Sequence, residues 1–337
     1  MKSIYLLFLS ALLTLTSFAH NEPWTAARPD GHAPISVMGD HMHAMGEWMV
    51  SYRYMTMDMK GLLKGSNEVS ADSQLGMMPS QFMMVPTEMK MDMHMFGAMH
   101  ALSDQWTLMC MLNYLDNEMT MINRMGEISK METSGISDLK FGGLYDLARW
   151  EDGRRAHLSL GLSAPTGSID EKNADGNFSG YGMQLGSGTW DFHPAITYLG
   201  QTENYSYGAQ LGGVLRIGDN DQGYTLGNRF DATIWGARKI TDSLSASLKI
   251  DHSCQDEVDG THKGISNMQR NMTPAKDPDH QGRDLTTVGL GLNYFFQSGA
   301  LKGHRIAAEW DTPIHQKVNG VQLELDSSWT LGWQYAW

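Results

Sequence analysis

The 337-residue chain has only two cysteines, Cys110 and Cys254, and neither belongs to a CxxC pair. That excludes a zinc ribbon, a dithiol redox motif and a small disulfide-stapled fold. An oxidising compartment permits a disulfide between them, but nothing in their spacing brings them together. Basic charge is also short: 25 Lys and Arg against 38 Asp and Glu leave a net charge of −13, which argues against a nucleic-acid partner. After the N-terminal leader, no apolar run approaches the roughly 18–20 residues of a membrane-spanning helix. There is no GxSxG, HExxH or Walker loop. No enzyme is therefore expected, and an outer-membrane hydrolase is a remote alternative. His157 and Ser159 share one strand face, with His193 on a neighbouring strand, and they read as polar lining.

What remains points to strands. The leader carries Lys2, the apolar stretch IYLLFLSALLTL and the small-x-small site Ser17-Phe18-Ala19. Residues 1–19 thus read as a secretory signal. Glycine is abundant (36), as are tryptophan (10) and tyrosine (12), while prolines number 10. The clearest strand is the last. Leu325, Ser327, Trp329, Leu331, Trp333, Tyr335 and Trp337 share one face, and polar or small residues share the other. An exported chain that crosses lipid without helices must close its strands into a barrel, and interfacial aromatic girdles account for the tryptophans.

Twelve such segments fall near 46–59, 89–101, 104–115, 135–149, 153–164, 189–200, 204–217, 226–240, 242–254, 284–297, 303–312 and 325–337. Short connections alternate with long ones at 60–88, 116–134, 165–188, 218–225, 255–283 and 313–324. The expectation is an all-β fold: one antiparallel transmembrane barrel of about 12 strands over residues 46–337, in the outer membrane, with short periplasmic turns and longer extracellular loops. Residues 20–45, rich in Met and His, precede it as a periplasmic arm or partial plug.

Three stretches, SGISDLKFGGLYDL (134–147), LSLGLSAPTGSIDE (158–171) and LGSGTWDFHPAITYLG (185–200), resemble in order and spacing the outer-membrane family called Putative MetA-pathway of phenol degradation. The Met-rich segments 39–61 and 85–109 look like a Met-rich branch of it. The resemblance implies a transporter-like barrel related to channels for fatty acids and aromatic hydrocarbons.

Methionine is the chain's singular excess: 22 of its 26 methionines lie between Met38 and Met131. Thioethers are soft ligands that favour Cu(I). Phasing each strand by its lipid-facing residues gives every methionine a side. In the first strand Trp48, Val50, Tyr52 and Tyr54 face lipid, so Met49, Ser51, Arg53, Met55, Met57 and Met59 face the lumen. In the second, Lys90, Asp92 and His94 are assigned to the lumen and Met89, Met91, Met93 and Met95 to lipid. In the third, Met109, Met111 and Asn113 face inward, and Trp106, Leu108, Cys110 and Leu112 outward. The candidate soft-metal donors are Met38, Asp40, His41, Met42, His43 and Met45 on the arm, with His32 nearby. On the wall they are Met55, Met57, Met59, His94, Met109 and Met111. No cofactor is required; Cu(I) or Ag(I) enters as a ligand. The acidic stretch GDNDQG (218–223) lacks the spacing of a calcium loop and reads as a hairpin loop. The expected function is an outer-membrane channel for small solutes, linked through Met and His to copper or another soft ion. The expected partners are membrane lipids and the solute or ion. The alternatives are a barrel that buffers or senses metal without transport, and a channel for small hydrophobic or aromatic compounds.

Overall fold

The computed structural model describes residues 24–77 and 81–337; the leader expected at 1–19 lies outside them. The strands are β1 (Trp48–Gly65), β2 (Asn67–Val69), β3 (Met84–Ser103), β4 (Trp106–Asn123), β5 (Ile128–Ile136), β6 (Leu139–Arg149), β7 (Arg155–Ala164), β8 (Trp190–Gln201), β9 (Tyr205–Ile217), β10 (Tyr224–Thr225), β11 (Arg229–Lys239), β12 (Leu244–Gln255), β13 (Asp259–Gly260), β14 (Arg283–Phe295) and β15 (His304–Ala336). Sequential neighbours pair antiparallel, and β15 pairs with β1 to close the barrel. Closure satisfies every wall strand, as lipid demands.

The long β15 is two arms. Residues 305–318 pair with β14 and residues 318–336 with β1. Trp310 packs on Trp329 and His304 on Tyr335, which sets the arms side by side. The fold-back falls at Asn319-Gly320, where Gly320 has φ +62°, as a two-residue Asn-Gly hairpin requires. The wall is therefore crossed twelve times. The two ends meet where Trp48 and Trp337 exchange backbone hydrogen bonds of 2.9 Å each.

The outer face carries the expected apolar belt. Leu108, Leu112, Ile196, Leu211, Ile234, Leu248, Leu290 and Leu331 are all exposed on it. Aromatic residues such as Trp106, packed on Tyr145, and Trp150 rim the end with the short turns, the periplasmic end. Cys110 and Cys254 are free.

Three expectations are corrected. First, the loops placed at 116–134 and 313–324 are largely strand, and the one placed at 60–88 is strand at both ends. β1, β3 and β4 run 18, 20 and 18 residues, and β5 extends the sheet on β4. Their outer ends bear Lys60, Glu88, Lys90, Asp92 and Glu118, joined in ion pairs such as Lys60–Glu88 at 2.9 Å. Apolar alternation stops there because lipid stops there, while backbone pairing continues.

Second, β3 has the opposite phase. Met89, Met95 and Met99 are buried and sit opposite Met59, Arg53 and Met49 of β1, so its methionines face inward. Lys90, Asp92 and His94 share the outer face with Phe96 and Leu102, whose lipid contact fixes the parity.

Third, Leu325 is only 3 % exposed and packs inside. The register slips between Asp58 and Met59, which pair with Ser327 and Leu325. One extra residue flips every side chain beyond it.

Candidate functional site

The three sequence stretches singled out above meet at one carboxylate. Asp138 follows β5 and accepts the Gly167 N–H at 2.9 Å, the Ser187 N–H at 2.8 Å and the Ser187 hydroxyl at 2.9 Å. Thr166 Oγ1 accepts the Leu139 N–H and donates to Ser137 O. A Cβ on Gly167 would lie 2.7 Å from the Gly186 Cα, and one on Gly186 would lie 2.6 Å from Gly167 O. Only glycine permits the two backbones this approach. The network folds the 165–189 connection inward, where buried Met183 joins the methionine cluster. Asn220, within GDNDQG, turns on itself by accepting the Gln222 N–H and donates to Ser187 O, so that stretch is a hairpin tied to its neighbour. Phe178, Tyr181, Tyr224 and Val258 form a small core among the extracellular loops.

Segment 24–45 lies inside the barrel, across its periplasmic half. Arg305 donates to the carbonyls of Pro29 (2.9 Å), Ala26 (2.9 Å) and Arg28 (2.7 Å). Gln201 pairs with both backbone groups of Thr25, Gln210 donates to Met38 O, and His157 Nε2 donates to Gly39 O at 2.8 Å. Glu309 accepts from Ser36 N and Oγ and is ion-paired to Lys249 at 2.6 Å; Lys249 also pairs with Asp311. From the other side come Arg53, donating to Ile35 O, and Thr107, accepting from His43 N. Trp24, Ala33 and Val37 pack on Leu199 and Trp235. Ser159 is not joined to either histidine of its group: His157 is spent on Gly39 O, and His193 Nε2 meets Ser163 Oγ at 3.0 Å instead.

Opposite this polar side runs a wall of thioethers. Cross-strand rows join Met49, Met99 and Met109; Met55 and Met93; Met57 and Met91; Met59, Met89, Met119 and Met131. At its outer end Met59, Met89, Met119, Met121 and Met183 are packed together. At its inner end Met42 of the arm packs on Met49, Met99 and Leu144. Between them Met55, Met57, Met91 and Met93 are half-buried on the lumen face.

The expected donors therefore separate. Met55, Met57, Met59, Met109 and Met111 line the inner face. His94 does not join them: it is outside, bonded to the Tyr52 hydroxyl at 2.8 Å. On the arm, Asp40, His41 and His43 are buried together. Met45 is 68 % exposed, Met42 belongs to the wall cluster, and Met38 is half-buried. Asp40 Oδ1 accepts from His41 Nδ1 at 2.9 Å. Burial opposes its charge, but the adjacent His41 outweighs that and holds the carboxyl far below the usual range. Burial pushes the His32 imidazole well down, with Arg305 adding to it, and pushes His43 down as well. The sequence reading missed the arm's anchors, Arg305, Glu309 and Lys249. Their inward parity on amphipathic strands was the available signal.

The family model described as Putative MetA-pathway of phenol degradation matches residues 97–303. The chain belongs to this family. The barrel is similar to an outer membrane channel from Pseudomonas putida F1, with 15% identity, a TM-score of 0.64, and coverage of 89% of this chain and 99% of that one. More distant likenesses are a Pseudomonas aeruginosa FadL homologue (12% identity, TM-score 0.38, 94% and 95% covered) and a TodX monoaromatic hydrocarbon channel mutant (9%, 0.45, 95% and 99%). No curated protein matches the chain by sequence. As a phenol-degradation family member with this closed fold and apolar belt, the protein is an outer-membrane β-barrel.

Proposed function

We propose that the protein is an outer-membrane channel for small apolar solutes, aromatic ones included, that travel along the methionine wall. The observation that carries this reading is the row of half-buried Met55, Met57, Met91 and Met93 on a lumen face, where barrels ordinarily place polar groups. Thioethers are flexible and polarisable, and each contact with an aromatic ring is worth about 0.3–1.5 kcal/mol. That strength suits transport, which needs sites weak enough to release. The family's description names phenol degradation, and the similar P. putida barrel is described as an outer membrane channel; both support it. The arm narrows the periplasmic half, where its Met42 packs against Met49 and Met99 at the inner end of the wall.

The same sulfurs favour a second reading, passage of Cu(I) or Ag(I). Proteoliposomes separate the two. Entry of toluene or phenol faster than glucose, slowed by bulky polar substitutions at Met57 and Met91, is the expected result. Equal rates for glucose and phenol would overturn the apolar path. Flux of Ag+ without phenol would favour the ion, and metal binding without any flux would make the barrel a buffer.

A further inference from the structure

The arm holds a cluster that the methionine wall does not use. His32, Asp40 and His41 each offer a donor atom, and these atoms all lie within 4.8 Å of one another. The His41 ring lies 3.8 Å from that of His32 and 4.8 Å from that of His43, between centroids. His41 is 1 % exposed. Three ring nitrogens, His32 Nδ1, His41 Nε2 and His43 Nε2, are buried without a hydrogen-bond partner. A buried ring nitrogen without a partner is costly, and three in one cluster point to a ligand. The opposite nitrogens of His41 and His43 face carboxylates, Asp40 at 2.9 Å and Glu47 at 3.4 Å. A carboxylate in that position fixes the tautomer and turns the free lone pair toward a metal. Asp40 is itself anchored by the Ala33 N–H at 2.8 Å.

We propose that His32, Asp40 and His41, with the His43 ring beside them, form a binding site for a divalent first-row transition ion such as Zn2+ inside the barrel. Imidazole and carboxylate donors suit such ions, whereas a soft Cu(I) site would draw on sulfur. Here the neighbouring sulfurs are elsewhere, with Met42 in the wall cluster and Met45 in solvent. Arg305 and Arg53 face the cluster with positive charge, and Asp40 and Glu47 offset it. Bound metal would join His32 to the 40–43 segment, cross-linking the arm within the lumen. The site is independent of which solute the channel carries.

The test uses the full-length barrel in detergent, without a histidine tag and stripped with chelator. Calorimetry with Zn2+ should show one equivalent bound. Co2+ should give visible d–d bands of four-coordinate intensity. His41→Ala and His32→Gln should each weaken Zn2+ binding at least tenfold, and Asp40→Asn by about 10–100-fold. His94→Gln, on the outer face, should leave it unchanged. Native protein that binds no stoichiometric Zn2+, or His41→Ala that binds as tightly as native, overturns the proposal. Folding of each variant is read from heat-dependent gel mobility. Should a variant fail it, the Co2+ spectrum of the native protein decides, and aquo-like bands refute the site.

Discussion

The two sides of the lumen treat the arm in opposite ways. On β7–β9, β12 and β15 the wall grips it with charge and directed hydrogen bonds, above all from Arg305, Gln201, Gln210 and Glu309. On β1, β3 and β4 the wall gives the arm Arg53 and Thr107 as partners, and its inner face is mostly thioether, with buried Ser51, Asn113 and Asn117 among the methionines. A hydrogen bond to a charged group is directional and costly to break. A methionine contact is neither, since the side chain re-forms it in many rotamers. One side fixes the arm by directed bonds; the other meets it, at Met42, with contacts that can re-form.

The sharpest way to break this contrast is Arg305→Ala. It strips three carbonyls of a buried cation, and the loss of arm docking should be on the order of 3 kcal/mol or more. Limited proteolysis should then cut within 24–45, and planar-bilayer conductance should rise. An arm that stays protected would mean the thioether side holds it too.

Asp138→Ala comes next. Removing three acceptor contacts from a buried carboxylate should destabilise the 165–189 connection by about 2–3 kcal/mol. Cleavage in that loop, with the barrel band intact on gels, is the expected readout.

Replacing Met55, Met57, Met91 and Met93 by leucine sharpens the contrast further. Volume is nearly kept, so each swap should cost the barrel less than about 1.5 kcal/mol. Phenol flux in proteoliposomes should fall several-fold because the sulfur contacts are gone. Unchanged flux would reduce the wall to mere grease. Smallest of all, Lys60→Ala removes an exposed ion pair with Glu88, and thermal midpoints should agree within experimental scatter.

Much of the barrel was legible in the sequence. Alternation in the last strand, the aromatic rims and the rhythm of connections gave twelve crossings and their order. The failures have physical causes. In β3 the rule that polar residues face the lumen was applied to Lys90, Asp92 and His94, above the lipid belt, where it does not hold. Phe96 and Leu102, lower on the same strand, carried the true parity. Leu325 was misplaced because a one-residue slip leaves no compositional mark. The arm's place inside the barrel was illegible because its anchors bond to backbone carbonyls, which look alike in any sequence. Of the candidate donors, the cluster of Asp40, His41 and His43 is local and could be read. His32 joins it only through the fold of the arm, and His94 left the set when the phase of β3 changed.

The extended β3 has a mechanical side. Its 20 residues, at about 3.4 Å each and a tilt of roughly 40°, reach about 50 Å, against an apolar band of about 25 Å. One flank of the barrel thus stands above the membrane like a mast, its inner surface sulfur-lined and its outer surface charged. A solute arriving from outside would meet that flank before it met the mouth. If solutes follow the methionine wall, capture and passage would be spatially separate steps, and the height of the mast, more than the width of the pore, would set how far from the bilayer a molecule can first be caught.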